Sequence, residues 1–289
     1  MPVLYSYTAM IPSILPSTGP IGVFDSGYGG LTILDKIRGL MPEYDYIYLG
    51  DNARAPYGPR SFDVVYRFTR QAVMRLFAEG CQLVILACNT ASAKALRTIQ
   101  QRDLPVWDET RRVLGVIRPT VELMDRISRS KHVGVVGTAG TIASGSYQIE
   151  IAKMFPHIQV TSEACPMWVP LVENNEFDSP GADYFVRKYL DELFRKDPLI
   201  DTLILGCTHY PLLIEKIRRY VPTGVTLLPQ GEYVASSLED YLHRHPEMDC
   251  KLTKGGTCRF LTTESAEKFS EAASVFLSRP IKVEQVVID

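Results

Sequence analysis

From Ile21 onward, short apolar runs alternate with longer stretches in which apolar residues recur every three to four positions. The runs Ile21–Phe24, Tyr46–Leu49, Leu83–Leu86, Val133–Val136 and Leu203–Leu205 read as buried strands, because parallel strands covered on both faces are continuous in Val, Ile and Leu. Ser61–Glu79 predicts a helix whose apolar face is Val65, Phe68, Ala72, Val73, Leu76 and Phe77, with Gly80 as its stop. Further helical patterns begin at Leu31 and cover Asn89–Gln100, Asp183–Arg195, Leu212–Tyr220, Tyr233–His243 and Ser265–Leu277, and Val113–Ile117 reads as another strand. Strands alternating with helices in this way indicate βα units around a parallel sheet. Residues 1–20 carry no charge and no sustained period, and read as an irregular N-terminal extension.

The pattern also repeats weakly. Ile21-Gly22-Val23-Phe24-Asp25-Ser26-Gly27 is echoed by Val133-Gly134-Val135-Val136-Gly137-Thr138-Ala139, and Leu83 to Thr90 by Thr202 to His209, in the same order and at nearly the same spacing. Buried strands resemble one another by composition alone. Two matched pairs in one order favour two similar α/β domains instead.

Composition sharpens this only in part. At 289 residues the chain suits roughly two domains. A net charge of −2 argues against a nucleic-acid partner held by its phosphates. The longest apolar run, Leu83–Cys88, is far too short for a membrane span, and an N-terminus without Lys or Arg is a poor secretory signal. Six cysteines in such a chain do not form a disulfide framework, so a reducing cytoplasm is the expected location.

Two of those cysteines stand out. Cys88 and Cys207 each follow a predicted strand and precede a predicted helix, the place where open α/β sheets bind ligands. A helix start favours bound anions and thiolates. Taken singly, each is better read as a small buried hydrophobe. As a matched pair flanked by Asn89, Thr90, Thr208 and His209, they point to chemistry. No Cys-x(2–4)-Cys pair is present, and Cys207 and His209 are spaced for a turn, so no metal is expected. A Cys–His nucleophile would leave Cys88 without a role. Cys81, Cys165, Cys250 and Cys258 are assigned to structure. The turn Asp25-Ser26-Gly27-Tyr28-Gly29-Gly30 departs from the dinucleotide pattern, and its small residues would let a short ligand approach the backbone. Two thiols facing each other across a cleft could invert a carbon stereocentre, one abstracting a proton and the other returning one. Nothing demands a pyridoxal cofactor, and no cofactor is expected.

Phe24 to Leu31, Asp51-Asn52-Ala53-Arg54-Ala55-Pro56-Tyr57-Gly58, Ala87-Cys88-Asn89-Thr90-Ala91-Ser92, Gly137 to Thr141, Ala164 to Glu173 and Gly206-Cys207-Thr208-His209-Tyr210-Pro211 closely resemble the glutamate racemases of the aspartate/glutamate racemase family. The resemblance runs from about Ile21 to the C-terminal helix. It implies two flavodoxin-like α/β domains with mainly parallel sheets, related by a pseudo-twofold, with the active site in the cleft between them. The expected division is 21–116 plus 212–289 for the first domain and 117–211 for the second. It further implies cofactor-independent interconversion of L- and D-glutamate, supplying D-glutamate for peptidoglycan, with Cys88 acting on D-glutamate and Cys207 on L-glutamate. Asp25 would assist Cys88, and His209 and Glu173 would assist Cys207. Substrate contacts carried over are Asp25, Ser26, Tyr57, Gly58, Asn89, Thr90, Thr208 and His209, with Thr138 and Thr141 as further candidates. Tyr57-Gly58 could also be a plain turn, Thr138/Thr141 a helix cap, and Glu173 plain surface. The partner is then a small molecule, glutamate, with neither nucleic acid nor membrane, and a homodimer is the expected assembly.

Departures from the family pattern are the first twenty residues, an apparent insertion at Trp107–Arg112 and Arg118-Pro119-Thr120 in place of a small-residue turn. Aspartate racemase shares the paired cysteines, but His209 and Asp25-Ser26 favour the glutamate branch by resemblance. A non-catalytic amino-acid-binding or protein-binding module would have no need of two matched thiols.

Overall fold

The structure is a computed structural model that describes residues 17–277 and 279–288. Among the described residues, ten strands form two sheets, and every strand pairing is parallel. The first sheet has the order β10 (Val283–Gln285), β9 (Cys258–Thr262), β2 (Tyr46–Gly50), β1 (Ile21–Asp25), β3 (Leu83–Leu86), β4 (Arg112–Gly115). The second runs β6 (Gln159–Ala164), β5 (His132–Gly137), β7 (Thr202–Gly206), β8 (Thr226–Leu228). The core order 2-1-3-4 of the first sheet recurs strand for strand in the second, as the sequence repeat implies, and is the doubly wound, flavodoxin-like order.

Alternation along the central strands builds a core on each side of each sheet. Ile21 and Val23 pack with Leu83, Ile85 and the helices Leu31–Leu40 and Gly231–Arg244. Phe24, Val84 and Leu86 face the other way, onto helix Phe62–Ala78. That helix starts where Ser61 Oγ accepts the Val64 N–H, and the chain beyond it turns at Gly80, whose φ of +94° suits a residue without a Cβ. Its buried face is the expected one, with Thr69 fully buried and Phe68 only partly so. In the second sheet Leu203 and Leu205 face helix Pro180–Lys196, while Val133, Val135 and Ile204 face helix Ser146–Met154.

Several expectations need correction. The second domain does not end at residue 211: helix Ile214–Tyr220 packs on helix Pro180–Lys196, and β8 pairs with β7, so the chain returns to the first sheet only after Leu228. The helix expected over Asn89–Gln100 ends at Lys94, after which shorter helical turns, one of them a π-helix at Ile99–Asp103, carry the chain to Trp107. The strand expected over Val113–Ile117 is Arg112–Gly115, and Arg118-Pro119-Thr120 lies within the short helix Ile117–Val121. Of the N-terminal extension, residues 1–16 lie outside the described residues, whereas Gly19 forms a parallel bridge to Leu252. Among the described residues, no helix is long and apolar enough to cross a membrane.

Candidate active site

Parallel strands all release their chain at the same end, and here the carboxyl ends of β1, β3, β5 and β7 meet. Between them lies a cavity of about 200 Å³, smaller than the ~300–1,000 Å³ of pockets for drug-sized ligands. Both Cys88 and Cys207 line it, and so do Ser26, Tyr57, Gly58, Asn89, Thr90, Thr138, Glu173, Thr208 and His209. Asp25 and Thr141 stand just behind the wall, each 1% exposed. A larger surface depression of about 470 Å³ along helix Pro180–Lys196 contains none of these residues.

Cys88 is the N-cap of helix Asn89–Lys94, where its sulfur accepts the Ala91 N–H at 3.4 Å and shares a hydrogen bond of 3.3 Å with Ser26 Oγ. Burial, and next the charge of Asp25, push its thiol up to about 12, against the pull of those two hydrogen bonds. Asp25 is held by the Gly27 N–H, 2.9 Å from Oδ2, while Oδ1 has no hydrogen-bond partner among the described residues. Burial raises the Asp25 carboxyl above its ordinary range, and the nearby His209 only partly offsets this.

The opposite thiol has different company. His209 Nδ1 lies 3.8 Å from Cys207 Sγ, and His209 Nε2 lies 3.1 Å from Glu173 Oε1. Burial disfavours the charged ring, but the hydrogen bonds to Cys207 and Glu173 outweigh it and carry His209 up to about 10. These two partners favour the charged ring, whose Nδ1 faces the sulfur and Nε2 the carboxylate. Phe276 closes its flank edge-on, with ring centroids 5.6 Å apart. Thr32 Oγ1 donates to the Thr208 carbonyl at 3.2 Å, tying this loop to the first helix of the other half.

Threonine hydroxyls gather where the chain leaves β3 and β5. Thr90 Oγ1 lies 2.9 Å from Thr138 Oγ1 and 3.2 Å from Thr141 Oγ1, and Thr138 also caps helix Ala139–Ala143 through the Thr141 N–H. Capping and cavity lining thus coexist in Thr138. Tyr57 borders the cavity, but its hydroxyl donates to the fully buried Asp51, which also binds Arg54 at 2.7 Å and Thr263 at 2.9 Å. Asp51 thereby fastens the Tyr57-Gly58 segment. Glu173 is an exposed residue, but its carboxylate is a partner of His209 and so more than plain surface.

Some residues of the site escaped sequence reasoning. Cys165, assigned to structure, is a third thiol on the cavity wall. Burial holds it far above the ordinary thiol range. Asp51 opens one of the motifs that resemble the family but had no role assigned, and Tyr147 and Gln230 belong to no motif; only their buried hydrogen bonds reveal what all three do.

A family model described as Asp/Glu/Hydantoin racemase matches residues 32–235, most of the chain. With that match and relatives above 40% identity over nearly its whole length, the chain belongs to the Asp/Glu/Hydantoin racemase family. More particularly, it is 43% identical over 274 residues to the glutamate racemase of Paracoccus denitrificans, covering 91% of this chain and 98% of that protein. The crystal structure of a glutamate racemase isoform from Bacillus anthracis superposes with a TM-score of 0.85 at 34% identity, covering 94% and 98% of the two chains. The Francisella tularensis glutamate racemase, solved in complex with D-glutamate, gives a TM-score of 0.84 at 33% identity over 95% and 99%.

Proposed function

We propose that this racemase interconverts L- and D-glutamate by passing protons between two thiols and the substrate Cα, with no cofactor. The observation that carries the reading is that Cys88 and Cys207, from equivalent ends of β3 and β7, line one small cavity. Removing the Cα proton puts negative charge on the carbanion and its carboxylate, and hydrogen-bond donors around the cavity offset that charge. Thr90, Thr138 and Thr208 are such donors. In one direction Cys207 takes the proton from L-glutamate while Cys88 delivers its own to the opposite face; in the other the roles exchange. Cys88 is buried as a neutral thiol and is poised as the acid, with Asp25 as the group that would receive its proton in the reverse direction. His209, held by Glu173, balances charge on Cys207. Ser26, Gly58 and Asn89 complete the substrate contacts, with Thr141 supporting from behind. The D-glutamate formed would supply peptidoglycan synthesis, the role that the family resemblance implies.

Racemisation in heavy water tests this. Each enantiomer should gain solvent deuterium at Cα, and Cys88→Ser and Cys207→Ser should each lower the racemisation rate about 10²-fold or more. Wild-type rates in both single variants would sink the two-thiol mechanism, and a lack of exchange with either enantiomer would sink the substrate assignment.

A further inference from the structure

Asn89 follows Cys88 directly and lines the cavity, yet most of its amide is already engaged. Tyr147 donates its hydroxyl hydrogen to Asn89 Oδ1 at 2.7 Å, and Asn89 Nδ2 donates to Gln230 Oε1 at 2.6 Å. Gln230 Nε2 in turn reaches the Val116 carbonyl at 3.0 Å and the hydroxyls of Thr120 and Tyr147, each at 2.9 Å. All of these residues are at most 3% exposed. Val116 and Thr120 stand where the chain first passes between the sheets, Gln230 where it returns, and Tyr147 on a helix of the second half.

The polarity of the whole set follows from one atom. A backbone carbonyl only accepts, so Val116 obliges Gln230 to turn Nε2 towards it and Oε1 towards Asn89. Asn89 must then present Nδ2 to Gln230. The Tyr147 hydroxyl accepts from Gln230 Nε2, and its own hydrogen goes to Asn89 Oδ1. Flipping Asn89 would set its Oδ1 against Gln230 Oε1, acceptor against acceptor. Flipping Gln230 would set Nε2 against Asn89 Nδ2 and Oε1 against the Val116 carbonyl, in each case at the cost of unpaired buried groups. One Nδ2 hydrogen of Asn89 is left over. Neither Gln230 nor Tyr147 borders the cavity, so both act through Asn89.

We infer that Gln230 and Tyr147 are positioning residues that lock the Asn89 amide in the one orientation that offers its remaining N–H to a substrate carboxylate. The inference rests on the proposed substrate contact of Asn89. The same lock joins both crossings between the halves to the residue beside the Cys88 thiol.

A double-mutant cycle on the full chain separates the two ideas, with KM and kcat measured for both glutamate enantiomers. Tyr147→Phe keeps the ring and removes the hydroxyl. It should raise KM about fivefold to tenfold, the scale of one lost hydrogen bond, with kcat within about twofold. In an Asn89→Ala background the same change should leave KM unaltered, because the group it orients is gone. Gln230→Leu, used in the same cycle, supplies the comparison should Tyr147→Phe fail to fold. A purely structural role would lower the active fraction, and hence kcat, at constant KM, and would overturn the inference. So would a Tyr147→Phe effect of full size in the Asn89→Ala background. An unchanged KM in Asn89→Ala alone overturns the substrate contact itself, and the inference with it.

Discussion

His209 sits between a thiol and a carboxylate, so its charge is a question of which neighbour wins against burial. Hydrogen bonds to Cys207 and Glu173 carry it from its ordinary 6.5 to about 10. A folded-state value above the unfolded one means that the native protein holds the proton more tightly. The resulting stabilisation is complete below about pH 6.5 and is lost as pH rises through about 10. Urea midpoints between pH 7 and pH 10 should therefore fall more steeply in the parent protein than in His209→Asn; parallel slopes would contradict the assignment. Cys88 supplies a second pH signal. Burial keeps its thiol neutral up to about 12, and thiolate is the reactive form. Its alkylation by iodoacetamide, followed residue by residue by mass spectrometry, should accelerate about tenfold per pH unit between pH 8 and pH 10. A rate already constant at pH 8 would show an ionised Cys88. Residue types and spacing led to both thiols and to His209. What the Asn89 amide and the Tyr57 hydroxyl do was not legible, because Gln230 belongs to no motif and a motif containing both Asp51 and Tyr57 does not say that they bond each other.

The turn after β1 shows how an element fixes the chemistry. A Cβ on Gly29 would lie 2.5 Å from His209 Nδ1 and closer still to Thr208 Oγ1, while one on Gly30 would lie 2.5 Å from the Asp25 Cβ. The first half thus presses its backbone directly against the Cys207 loop of the second. Gly29→Ala should push Thr208 and His209 aside. Displacements of about 1 Å cost on the order of 10² in rate, so racemisation should fall by about that factor while the far-ultraviolet circular dichroism stays native. Full activity in Gly29→Ala would mean that the loop has room the structure does not show. Central strands and long amphipathic helices were readable at this scale because burial writes a period into them. The edge strand β4 was read as well, but β6, β8, β10 and the internal strand β9 were not. β6 has the sequence Gln159-Val160-Thr161-Ser162-Glu163-Ala164 and no fully buried residue, so it leaves no apolar run to find. Strands β8 and β10 are three residues each, too short for any period.

At the level of the whole molecule, the cleft depends on how closely the halves approach. Gly140, in the second half, sits where a Cβ would come within 2.5 Å of the Gly58 carbonyl and 2.9 Å of Lys94 Nζ, both in the first. The carbonyl belongs to backbone fastened through Tyr57 to Asp51, so it cannot yield easily. Gly140→Ala should wedge the halves apart and lower kcat/KM for both enantiomers at least tenfold with every catalytic side chain intact. Unchanged kinetics would show that the closed spacing is not needed for turnover. The misplaced boundary at residue 211 belongs to this scale too. The helix expected over Leu212–Tyr220 is Ile214–Tyr220 in the structure, but amphipathicity states only that one face is covered, and not which sheet covers it.

By itself the sequence determined the strand ends, the repeat and the matched thiols, because local periodicity and residue chemistry record burial and reactivity position by position. The tertiary structure alone decided how those positions meet. It placed Asp25 behind Cys88 with one carboxylate oxygen lacking a hydrogen-bond partner among the described residues, set His209 against Cys207 under an imidazolium-favouring pair of hydrogen bonds, and brought the Glu173 carboxylate onto that ring. It also joined Asn89, Val116, Tyr147 and Gln230 into one buried network. Each of these depends on contacts between segments far apart in the chain, whose relative placement is set by packing of the two halves and leaves no periodic trace in either.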